Sequence, residues 1–89
     1  MKAWQLLSSP ARFCKGVIAL DKQGRAVDAC SLAACRWCFA GALLRCYPVG
    51  LSITGIAHRL RMEIGNDIGA WSDNHGWRAV HRLLKRLNI

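Results

Sequence analysis

Carboxylates are scarce in this chain. Its 89 residues hold only five, Asp21, Asp28, Glu63, Asp67 and Asp73. No two of them share a helical face at short spacing, so general acid/base work by paired carboxylates, or a two-metal site, has little to stand on. His75 lies two residues from Asp73 and could pair with it, but Asp73 as a helix cap with His75 in the first turn is the simpler reading. Glycines in the pattern that cradles phosphates are missing. So is a second C-x-x-C or an H-x-x-x-H to complete a zinc set, because Cys14, Cys30, His58, His75 and His81 stand singly. These gaps argue against an enzyme, a cofactor and a metal. No apolar run approaches the roughly 18 residues of a membrane span, and the N-terminus has no unbroken apolar centre of a signal peptide. The expected location is therefore a reducing cytoplasm, away from membranes, and an odd count of five cysteines suits it better than a paired disulfide framework.

What remains is apolar and basic. Hydrophobic residues make up 53% of the chain, four of them tryptophan, which places it well outside the disordered class. A chain this short forms one domain, residues 1 to 89, with a small core. Thirteen basic residues, mostly arginine, set the net charge at +8. The guanidinium fork matches carboxylate and phosphate oxygens, so the expected partner is anionic: an acidic protein surface or nucleic acid.

The pattern along the chain predicts a mostly α (α+β) fold, a compact bundle of four to five short helices with a β-hairpin near residues 17 to 28. Residues 2 to 8 carry Trp4 and Leu7 at helical spacing. Ser9-Pro10 opens a second short helical piece, with serine as cap and proline at the first position. "GVIAL" and "AVDA" flank the turn residues "DKQGR" as two strands. Ser31 stands in cap position for a helix from about Leu32 to Cys46. A helix after Ser52 stops near Gly65, and "NDIGAW" is a turn or short helical piece. The last helix runs from Asn74 to about Leu87, capped by Asp73.

Two stretches carry candidate function. In "LAACRWCFAGALLRC" a helical wheel places Cys35, Cys38, Ala42 and Cys46 on one face, with apolar residues around most of the circumference. That is the pattern of a buried central helix, in which cysteine serves as a small hydrophobe. A redox C-x-x-C would need its first cysteine at a helix start after a βαβ-type strand, and none precedes it. In the last helix, Trp77, Val80, Leu83, Leu84 and Leu87 form an apolar stripe opposite Arg78, His81, Arg82, Lys85 and Arg86. Like charges on one face have no partners on their own helix. A solvated face that suits the helix dipole would look the same. As a binding surface it would extend to Arg59 and Arg61 on the preceding helix. The nine or so residues between these two helices are too many for a helix-turn-helix, so generic phosphate contact is the expected form of nucleic-acid binding.

Taken together, "GRAVDACSLAAC", "RWCFAGALL" and "AWSDNHGWRAVHRLLKRL" resemble an uncharacterised family of small bacterial and phage proteins, a domain of unknown function. The likeness spans residues 12 to 87 and rests on Gly24, Arg25, Arg36, Trp37, Cys38, Gly41, Ala42, Leu43, Trp71 and Asp73, with Ser72 where the family has asparagine. The resemblance implies a helical fold in a phage or mobile-element setting. Small proteins of such settings often act by binding and blocking host defence machinery, anti-CRISPR inhibitors among them. The expectation is a non-enzymatic protein that binds stoichiometrically through its arginine-rich helical face, with phosphate-backbone binding of nucleic acid as the alternative.

Overall fold

A computed structural model of the chain describes residues 1 to 48 and 55 to 89. The fold is α+β, as the hydrophobic pattern predicts. Among the described residues four α-helices surround a small antiparallel sheet. They are α1 (Ala3–Leu6), α2 (Phe39–Cys46), α3 (Ile56–Ile64) and α4 (Ile68–Leu87), with a 3-10 turn at Pro10–Arg12. The sheet has three two-residue strands, β1 (Ala19–Leu20), β2 (Ala26–Val27) and β3 (Arg36–Trp37), in the order β2-β1-β3. The start of the helix expected after Ser52 lies outside the described residues.

The hairpin forms where its turn chemistry places it. Ala19 pairs with Val27 and Leu20 with Ala26. Between them Asp21 Oδ1 accepts the amides of Gln23 and Arg25, each at 2.9 Å, and Arg25 Nε meets Asp21 Oδ2 at 3.1 Å. Those bonds, the Arg25 amide foremost, hold the buried Asp21 carboxyl below its ordinary value of 3.8. Ser9 Oγ caps the 3-10 turn from Ala11, with Pro10 at its first position.

The expected helix from Leu32 to Cys46 is corrected. Ser31 does cap a turn, accepting the Ala33 amide at 3.1 Å, but that turn does not propagate. Arg36 and Trp37 instead form β3, exposed and buried in alternation, and pair with Leu20 and Ala19. The helix starts only at Phe39, with Cys38 as its cap: Cys38 Sγ accepts the Gly41 amide at 3.2 Å. The helical wheel holds for Phe39, Ala42 and Leu43, all buried, and fails upstream. Over four residues a period of two and a period of 3.6 are hard to tell apart, and pairing with a strand distant in sequence decides. The sheet gains a further step when Phe13 bridges Trp37 in parallel.

The cap of the last helix is also corrected. Asp67, not Asp73, caps α4, accepting the Ala70 amide at 2.9 Å. α4 then bends at Gly76, whose φ of 81° is open to glycine and strained for other residues. "NDIGAW" is thus the first arm of a kinked helix whose second arm starts after Gly76. Gly65 closes α3 at a φ of 87°, as expected.

The core lies where α1, α2 and α4 converge on the sheet. Leu7, Ala19, Phe39, Leu43, Leu60, Val80, Leu84 and Ile89 are essentially inaccessible. Trp37 closes one side, and its indole donates to the Ala29 carbonyl at 2.9 Å. Gly41 lets α2 rest on the chain entering β1, because a Cβ there would overlap the Ile18 carbonyl oxygen. The two chain ends meet through the Ala3 amide and the Ile89 carbonyl at 2.7 Å.

Candidate binding surface

The apolar stripe of α4 packs as its spacing predicts, with Val80, Leu83 and Leu84 buried. That fixes the rotation of the second arm and turns its cations outward. The structure divides the seven candidate residues into two groups.

Arg59 and Arg86 tie α3 to the end of α4. The Arg59 guanidinium donates to the Leu87 carbonyl, one of the acceptors left open at a helix C-terminus. Arg86 Nη2 donates to Glu63 Oε2 at 3.1 Å. That pair lies at the surface and contributes on the order of 0.5 kcal/mol. Arg61 is exposed on α3 beside this junction. The carbonyl end of α4 also receives Lys2 Nζ on the Asn88 carbonyl and the Tyr47 hydroxyl on the Ile89 carbonyl, both at 3.1 Å. Cations gathered at that end suit the negative pole of the helix.

Arg78, Arg82 and Lys85 form the second group. All three are exposed, and none has an ion-pair partner among the described residues. At i, i+4 and i+7 they span about 10 Å along one side of the helix. Beside them His81 is half-buried. It stacks on Trp77 at 5.5 Å between centroids and meets Trp4 edge-on at 6.4 Å. The Lys85 ammonium lies over the Trp4 ring, 5.6 Å from its centroid. The Trp77 indole donates to the Leu7 carbonyl at 2.6 Å, fixing α1 against α4.

Trp4 is thus a member of this face that the sequence did not reveal, since only the fold brings residue 4 beside residues 81 and 85. A second aromatic group stands on the first arm of α4, where His75 stacks on Trp71 at 4.2 Å and Trp71 meets Phe39 edge-on. His75 Nδ1 lies 2.7 Å from the Trp71 carbonyl, so its nearest polar partner is backbone and not Asp73.

Concave sites lie elsewhere. A cavity of about 600 Å³ is lined by Trp37, Cys35, Cys46, Arg12 and Arg45 among others, and one of about 290 Å³ by Val17, Ile18, Cys38, Phe39 and Ser72. All five cysteines are free thiols, and among the described residues no three Cys, His, Asp or Glu side chains converge to hold a metal ion. Burial pushes the Cys14 thiol up to about 11 and raises Cys46 as well. No helix among the described residues is long and apolar enough to cross a membrane.

Comparison of the chain with protein-family models, with curated proteins and with solved structures finds no match in any of the three. The reading of function therefore starts from this surface.

Proposed function

We propose that the protein acts by stoichiometric, non-enzymatic binding, docking the second arm of α4 onto an acidic patch of another protein. The observation that carries this reading is the row Arg78, Arg82 and Lys85, exposed and without an anionic partner among the described residues. Arginine beside tryptophan is the composition enriched at the energetic centres of protein interfaces, and Trp4 supplies the aromatic. Its ring already carries the Lys85 ammonium on one face and the His81 edge. That leaves it better suited to a packed interface than to stacking with unpaired bases. The resemblance to small phage and bacterial proteins makes an inhibitor of host defence, of the anti-CRISPR kind, the specific form to test.

Duplex nucleic acid is the second reading, favoured by the lack of any carboxylate among the exposed side chains of that row. The two readings separate in a titration against a random-sequence duplex and against poly-glutamate over a range of salt. Phosphate binding predicts duplex affinity that falls linearly with log salt, with a slope of about −0.9 for each phosphate contacted. Docking on acidic protein predicts that poly-glutamate binds through the same three cations while the duplex gives no saturable complex at physiological salt. Changing Arg78, Arg82 and Lys85 together to glutamate abolishes either complex. Binding that survives that change overturns the assignment of the surface.

A further inference from the structure

The Cys35-Arg-Trp-Cys38 run is the obvious place to look for thiol chemistry, yet the fold separates its two sulfurs. Successive extended residues point to opposite faces, and the Cys35 and Cys38 amides on either side of β3 still bond the β1 segment, at the Leu20 and Ile18 carbonyls, so Cys35 goes with Trp37 and Cys38 with Arg36. The cavities agree. Cys35 and Trp37 line the larger one, whereas Cys38 lines the smaller one with Val17 and Ile18. Two cysteines whose Cβ vectors point apart cannot be bridged without moving the backbone.

Cys14 is the partner that the sheet supplies. Phe13 matches Trp37 in parallel register, and the Cys14 amide donates to the Trp37 carbonyl at 3.1 Å. In a parallel pair, residues that follow matched residues also lie side by side on one face, with strands about 4.8 Å apart. That spacing falls inside the Cα separation of about 4.4 to 6.8 Å that a disulfide spans. After burial, the charge of Cys38 is the largest influence raising the Cys14 thiol, ahead of that of Cys35.

The two thiols differ in a useful way. Cys38 is half-exposed on a cavity wall, and its sulfur accepts the Gly41 amide at the start of eight-residue α2. Cys14 is buried, its thiol directed at the Val17 carbonyl at 3.6 Å. We propose that Cys38 and Cys14 form an oxidant-sensitive pair, in which hydrogen peroxide oxidises Cys38 and Cys14 closes the disulfide. The Cys38 sulfur attacks one peroxide oxygen, the O–O bond breaks, and the departing hydroxide takes up the Cys38 thiol proton to leave as water. The Cys14 sulfur then attacks the Cys38 sulfenic acid, and its proton leaves with the displaced hydroxide as a second water. Two thiols and one hydrogen peroxide thus become one disulfide and two waters. The link ties the segment after the 3-10 turn to the N-terminus of α2.

Trypsin distinguishes the possible bonds, because its cuts leave Cys14 in residues 13–15, Cys30 and Cys35 in residues 26–36, Cys38 in residues 37–45 and Cys46 beyond. The folded protein is treated with equimolar hydrogen peroxide, quenched in acid, alkylated, digested and read by mass spectrometry. The expected product is residues 13–15 disulfide-linked to residues 37–45, with Cys30, Cys35 and Cys46 alkylated. Cys38→Ser abolishes the link, and Cys35→Ser leaves it unchanged. A bond from residues 26–36 to residues 37–45 overturns the proposal, as does Cys38 found as sulfinic acid with Cys14 still alkylated.

Discussion

Single residues fix this fold at points where no substitute fits. Gly41 is the sharpest case, since a Cβ would meet backbone and backbone cannot swing aside. Gly41→Ala is expected to lower stability by about 3 kcal/mol, the upper part of the range for overpacking, read by urea denaturation. Asp21 is a second case, and its effect depends on pH. A carboxyl held below its ordinary value stabilises the fold above that value, and the contribution is lost as pH falls through the lowered one. Wild type should therefore lose stability on acidification below about pH 3.8, while Asp21→Asn starts lower and loses less over the same interval. Cys14 behaves in the opposite sense. Its thiol, raised from 9.0 to about 11, stays neutral in the fold, so stability is full below pH 9.0 and declines as pH rises toward 11. A Cys14→Ala variant should flatten that alkaline slope.

Secondary elements were legible in proportion to how locally they are decided. The hairpin, the Ser9-Pro10 turn, the end of α2 at Cys46 and the stop at Gly65 all follow from turn and cap residues beside them in sequence. The start of α2 does not, because Arg36 and Trp37 leave helical geometry only to pair with β1, and the sequence around them carries no trace of that partner. The cap before Gly76 shows the same limit: Asp73 has suitable chemistry in the sequence, but the geometry selects Asp67. Replacing each with alanine measures the difference. Asp67→Ala should cost about 1 kcal/mol of stability, and Asp73→Ala less than about 0.5. A larger cost for Asp73→Ala than for Asp67→Ala would mean that the helix begins where the sequence pattern first placed it. The cationic row on α4 was readable from its spacing, but the engagement of Arg59 and Arg86 with α3, and the arrival of Trp4, depend on contacts between segments far apart in sequence.

For the molecule as a whole, the arrangement separates holding from presenting. Lys2, Tyr47 and Arg59 converge on the carbonyls of Asn88, Ile89 and Leu87, at and just past the end of α4, and fasten that end to the rest of the fold. With that end fixed and Val80, Leu83 and Leu84 buried, the outward cations sit on a rigid element rather than on a loop. Under the proposed reading, rigid presentation lowers the ordering cost of association. The most direct test of this account is capture from bacterial lysate, with and without nuclease. It compares the wild type with two triple variants of equal net charge, Arg78, Arg82 and Lys85 to glutamate, and Arg12, Lys22 and Arg36 to glutamate. The account predicts a protein partner retained after nuclease, held at about one-to-one by the wild type and the second variant, and lost from the first. Capture lost equally from both variants, or unchanged in the first, would contradict it.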